Sequence, residues 1–89
     1  MYNKITKLEL TSMVGYKIRP SENQRKAKID EIMNSLKELR EYTRNEEVIK
    51  IRDELKDYLE TVTCPCMNTI NEWINRTNEL LNKILEKYA

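Results

Sequence analysis

Three groups of residues in this 89-residue chain have the types and spacing to do chemistry. The most distinctive is Cys64-Pro65-Cys66, which holds both cysteines of the chain on one turn. Two thiolates are half of a tetrahedral zinc site. With no His and no third Cys, one copy cannot close a site of nitrogen and sulfur ligands, whereas a symmetric dimer would bring four thiolates together. A disulfide within the pair closes a small, strained and therefore redox-labile ring. The plainest reading, and the one expected here, is a turn between helices. In it Pro65 lies near a helix start and the thiols serve as small hydrophobes. No metal and no cofactor is expected.

The second group is basic. Lys17, Arg19, Arg25, Lys26 and Lys28 fall within twelve residues and could meet phosphates, with Tyr16 as the one aromatic available for stacking. They crowd the start of an expected helix, where the helix dipole disfavours cations, so an acidic partner inside or outside the chain is implied.

The third group is a row of asparagines. Asn68, Asn71, Asn75, Asn78 and Asn82 follow three-four spacing and share one face of a helix. Asn costs roughly 0.6 kcal/mol against Ala in a helix, so the row has either a use or a codon-level origin. Taken as useful, it is an uncharged hydrogen-bonding rim beside an apolar core, as recognition surfaces have. Trp73 and Arg76 lie on the same element and are residue types enriched among interface anchors. Asn71, Trp73, Asn75, Arg76, Asn78 and Asn82 are therefore the expected partner-binding residues, the asparagines dispensable for folding and Trp73 placed on the core stripe. Asn75-Arg76-Thr77 is a formal glycosylation sequon, discounted because Thr77 falls on the core stripe.

Enzymatic signals are poor. Without His there is no proton shuttle near neutral pH, and Gly15, the single glycine, makes no phosphate loop. Carboxylates alternate with Lys and Arg as solvated helix faces do. A site for a dianionic substrate would need converging Arg and Lys, yet residues 29–60 carry a net charge of −4. No catalytic residue is expected.

The elements that must position these groups read as helices. Composition is 39% hydrophobic and 35% charged with one Gly and two Pro, too little turn chemistry for a sandwich or barrel. Capping-box patterns stand at Thr6-Glu9, Ser21-Gln24, Thr43-Glu46 and Thr69-Glu72. The first, with Ile5 and Leu10 as a hydrophobic staple, predicts a short helix at about 7–14 ended by Gly15 as a left-handed cap. Pro20 makes the link from Tyr16 extended. Apolar stripes predict three long helices. Ile29, Ile32, Leu36 and Leu39, with Met33 beside them, mark about 22–42. Val48, Ile51, Leu55, Tyr58 and Val62 mark about 46–62. Ile70, Trp73, Ile74, Thr77, Leu80, Leu81, Ile84 and Tyr88 mark about 68–88. Short links make consecutive long helices antiparallel. The expected fold is all-α: one helical domain over 1–89, with 1–20 as a short helix plus an extended basic arm.

Residues 1–28 carry a net charge of +5 against −4 in the middle and zero over 61–89, an asymmetry that a fold or dimer can neutralise. No run of ~20 apolar residues or signal peptide stands out, so a cytoplasmic protein is expected. Ile, Asn, Lys and Tyr number 33 against 11 for Gly, Ala, Pro and Arg, which points to an AT-rich genome and to a phage, virus or mobile element. The expected function is non-enzymatic: binding another protein, as an inhibitor or regulator. A homodimer is expected because Ile49 and Leu85 fall off the main stripes. The alternative is a small DNA-binding regulator using the basic segment.

Overall fold

Each helix begins where a side chain can take the first unpaired backbone donors ahead of an apolar stripe. In the computed structural model, which describes residues 8–15 and 19–88, these are α1 (Glu22–Tyr42), α2 (Glu46–Thr61) and α3 (Met67–Tyr88). No strand occurs among the described residues. The described residues form a three-helix bundle. None of its described helices is long and apolar enough to cross a membrane.

Ser21 caps α1 as its sequence pattern requires. The Gln24 N–H donates to Ser21 Oγ at 3.2 Å, and the Ser21 N–H donates to Gln24 Oε1 at 2.9 Å. The other two described caps differ from expectation. Thr43 is still the C-terminal cap of α1, with its N–H donating to Leu39 O at 3.1 Å, so it cannot also open α2. Its hydroxyl instead accepts from the Asn45 N–H at 3.2 Å, and Asn45 caps α2 by accepting from the Glu47 N–H at 2.9 Å. α3 opens at Met67 rather than beyond Thr69, because the Ile70 N–H already reaches Cys66 O at 3.0 Å. Thr69 therefore lies inside the first turn.

The apolar stripes form the core. Ile29, Ile32, Leu36 and Leu39 of α1, Val48, Ile51 and Leu55 of α2, and Ile70, Ile74, Leu80, Leu81 and Ile84 of α3 are all buried. Met33, Leu59, Trp73 and Leu85 pack against them half-buried. Leu85 is thus part of the core margin, whereas Ile49 stays 39% exposed. Thr77 is buried as its position on the stripe predicts, and its hydroxyl donates to Trp73 O at 2.8 Å, one turn back.

The described part of the N-terminal segment is not the expected helix. Residues 8–15 carry no helical structure, and Gly15 has no left-handed backbone. The Thr6 capping box and the Ile5 end of the staple lie outside the described residues. The backbone N–H and C=O groups of Leu10 and Met13 bond to α3 side chains, which removes them from any helical ladder. This segment is a strap laid between α1 and α3, with Leu8 buried in the core and Leu10 and Met13 packed against it. Gly15 serves close approach at the end of the strap. A methyl group there would stand 3.1 Å from both Met67 Sδ and Pro20 Cδ.

Candidate functional site

The Asn row of α3 divides by what its amides meet. Asn78 Oδ1 accepts from the Leu10 N–H at 3.0 Å, while its Nδ2 donates to Leu10 O at 2.9 Å. Asn71 treats Met13 the same way, at 2.8 and 3.0 Å. Each side-chain amide therefore pairs with both polar groups of one backbone residue, as a neighbouring strand would. The spacing makes this possible. Seven helical residues advance about 10.5 Å, and three residues of an extended chain of threefold rotation advance about 9.3 Å. Three helical residues would cover only about 4.5 Å, so the strap must be extended to reach both asparagines. It runs against the direction of α3. From α1, Ser35 Oγ donates to Leu8 O at 2.9 Å and closes the third attachment. Four amide bonds at roughly 1 kcal/mol net each are enough to hold a short segment that also buries a leucine.

The expectation that this row is dispensable for folding is corrected at Asn71 and Asn78, whose amides bind the chain's own backbone. Asn75 and Asn82 are exposed on α3, and neither side-chain amide makes a hydrogen bond among the described residues. Trp73 and Arg76 belong to a different flank. Trp73 meets Tyr58 of α2 at 6.0 Å between ring centroids, and the Arg76 guanidinium lies 4.7 Å over the Trp73 ring. Arg76 also pairs with Glu54 of α2, and that hydrogen bond holds the Glu54 carboxyl below the usual carboxylate range. The six residues expected on one partner-binding face are thus split between the strap side, the outer side and the α2 side of α3. Spacing could show the asparagines as a row. It could not show Ser35, Tyr58 and Glu54, because their roles come from neighbours on other elements.

The basic segment is largely occupied within the chain. Lys26 pairs with Glu22 at 3.2 Å and Lys28 with Glu31 at 2.7 Å. Arg25 donates from Nη1 to Pro20 O at 2.8 Å and from Nη2 to Cys64 Sγ at 3.5 Å. Arg19 is exposed, and Lys17 lies outside the described residues. The acidic partner implied by cations at a helix start is therefore partly Glu22 and Glu31 of α1 itself.

At the Cys64-Pro65-Cys66 turn, Pro65 is the buried residue, Cys64 is half-buried and Cys66 is exposed. An exposed thiol does not serve as a small hydrophobe, so that expectation is corrected at Cys66. Cys66 holds the residue position before the first turn of α3. Its sulfur lies 3.3 Å from Thr69 Oγ1. The Thr69 hydroxyl, followed by the backbone N–H groups of Thr69 and Asn68, lowers the Cys66 thiol below its ordinary range. No group of three or more His, Cys, Asp or Glu side chains gathers to hold a metal ion among the described residues.

Comparison with protein-family models, with curated proteins and with solved structures finds no match to this chain. The geometry therefore carries the functional argument unaided.

Proposed function

We propose that this is a non-enzymatic protein that works by binding another protein, through the flank of α2 and α3 around Trp73 and Arg76. The observation that carries this reading is the ordered stack of Tyr58, Trp73 and Arg76 on a half-exposed surface. Aromatic and Arg side chains dominate binding hot spots, and here both are already fixed by each other and by Glu54. A partner meeting them has less side-chain ordering to offset. The pairing of Tyr58 with Trp73 and of Glu54 with Arg76 also supports an antiparallel course for α2 and α3, with residues 62–66 as a short connection.

The composition supports an origin in a phage, virus or mobile element, and the reading we put forward is an inhibitor or regulator acting in the cytoplasm. The in-chain pairing of Lys26 and Lys28 favours a protein partner over nucleic acid. A homodimer belongs to the same reading, with exposed Ile49 as its support. Sedimentation equilibrium at about tens of micromolar decides that part, and a pure monomer would remove it. The binding reading is tested by affinity capture from the source cells followed by calorimetry on the recovered partner. Arg76→Ala should weaken the complex by about tenfold or more, while Asn82→Ala on the outer side should leave it unchanged. Equal affinities for wild type and Arg76→Ala would place binding elsewhere.

A further inference from the structure

An open cleft of about 510 Å³ lies where the end of the strap, the start of α1 and the turn before α3 meet. Arg19, Arg25, Cys64, Cys66 and Met67 line it, and no carboxylate does among the described residues. Two of these side chains are nucleophiles and two are cations. Arg25 is fixed by its bonds to Pro20 O and Cys64 Sγ, its Nε is buried without a hydrogen-bond partner, and no carboxylate pairs with it among the described residues. Cys66 stands at the open end of the same turn, its sulfur facing the first-turn donors of α3 through Thr69.

We propose that Cys64-Pro65-Cys66 is a thiol–disulfide exchange site for small anionic disulfides, with Cys66 as the attacking thiol and Cys64 as the resolving thiol. Position assigns the roles. Cys66 is exposed, and the backbone N–H groups ahead of it favour negative charge on its sulfur. Cys64 is half-buried, lines the same cleft and stands two positions away in the chain. The cations set the substrate class, because a cleft with Arg19 and Arg25 and no carboxylate gathers anions.

The steps balance. The Cys66 thiolate attacks one sulfur of the disulfide, the S–S bond breaks, and one thiolate leaves with the bonding pair. Cys66 is now in a mixed disulfide. The Cys64 thiol gives its proton to solvent and attacks the Cys66 sulfur, forming the Cys64–Cys66 bond and expelling the second thiolate. The small disulfide is reduced to two thiols and the protein is oxidised by two electrons. Ring closure takes the Cys64 sulfur from Arg25 and bends a turn with only Pro65 between the two cysteines, so the product disulfide is strained and easily reduced. That lability suits a reversible change of state.

The test uses the reduced full-length protein with glutathione disulfide, with acid quenching and mass spectrometry. Wild type should release two glutathione equivalents per chain and lose two hydrogens. Cys64→Ser should stop at a mixed disulfide on Cys66. Cys66→Ser, which keeps a good capping side chain, should react at least about tenfold more slowly, because only the half-buried thiol remains. The cationic disulfide cystamine is the control for charge. Relative to the same two reactions of the urea-unfolded chain, folded wild type should prefer glutathione disulfide by roughly threefold or more. An unchanged rate in Cys66→Ser, a mixed disulfide that persists in wild type, or a folded protein no faster than the unfolded chain would overturn the exchange site. Absence of the charge preference would overturn the assignment of anionic substrates.

Discussion

Asn71 and Asn78 do for the strap what a neighbouring strand would do, and Asn75 and Asn82 between and beyond them do not. The four residues share type, helix and spacing, so substitution separates the helix-propensity effect from the hydrogen-bonding effect. Asn75→Ala and Asn82→Ala should each stabilise the protein by up to about 0.6 kcal/mol, since Ala is the better helix former. Asn71→Ala and Asn78→Ala should each destabilise it by about 1–3 kcal/mol, because a part-buried N–H and C=O of the strap lose their partner. Urea unfolding measures all four, and faster hydrogen exchange at Leu10 in Asn78→Ala locates the cause. Glu54 is a second residue whose behaviour follows from one contact. Its carboxyl is held below the usual range by the hydrogen bond from Arg76. A depressed folded-state value means the pair's stabilising contribution is present above the ordinary carboxylate range and is lost as pH falls through the depressed value. Carboxyl NMR titration should show Glu54 returning to the ordinary range in Arg76→Gln, and no change there would sink the assignment. Neither contact was legible in the sequence. The row of asparagines was, since it is a matter of spacing within one helix, but which members are used depends on where a distant segment lies.

Helix caps show the same division at the scale of the element. The stripes of α1, α2 and α3 could be read in advance because helical periodicity is a local property and each apolar set had only one face to occupy. The Ser21 cap was legible for the same reason, its reciprocal partner being three residues away. Thr43 and Thr69 fit the same pattern yet open no helix: Thr43 closes α1, Thr69 lies inside the first turn of α3, and the helices begin beside Asn45 and Cys66 instead. The short helix expected near Leu8 and Leu10 fails differently: apolar spacing favours it locally, but Asn78, 68 positions along the chain, takes the Leu10 backbone. Cap substitutions should therefore follow the structure. Ser21→Ala should cost about 1 kcal/mol and Asn45→Ala about the same. Cys66→Ser should cost nothing, Ser being a favoured residue at that position. Thermal melts of the three variants check this ordering, and a loss in Cys66→Ser equal to that in Ser21→Ala would show that Cys66 is more than a cap-position residue for stability.

For the whole molecule, the strap adds Leu8 to the core of the three helices and packs Leu10 and Met13 against it. Leu8 is part of the buried core cluster, while the polar attachments of the strap come from α1 and α3. Hydrophobic burial and backbone pairing thus act on one short segment from separate directions. If the strap docks as a unit, the two contributions are not independent. Leu8→Ala alone should cost about 2–3 kcal/mol, the low end for a leucine next to a surface that can relax. Asn78→Ala alone should cost about 1–3 kcal/mol. Once either change has released the strap, the other has little left to remove, so the double variant should fall short of the sum by at least about 0.5 kcal/mol. Leu8→Ala combined with Ile49→Lys, on exposed α2 surface away from the strap, should instead add within about 0.5 kcal/mol. Urea unfolding of the two cycles measures both couplings. Additivity in the first cycle would mean that Leu8 and Leu10 are held separately and that the strap does not dock as a unit. Coupling confined to the first cycle would establish the strap as a cooperative part of the fold, with the Asn71 and Asn78 amides on α3 as its docking surface.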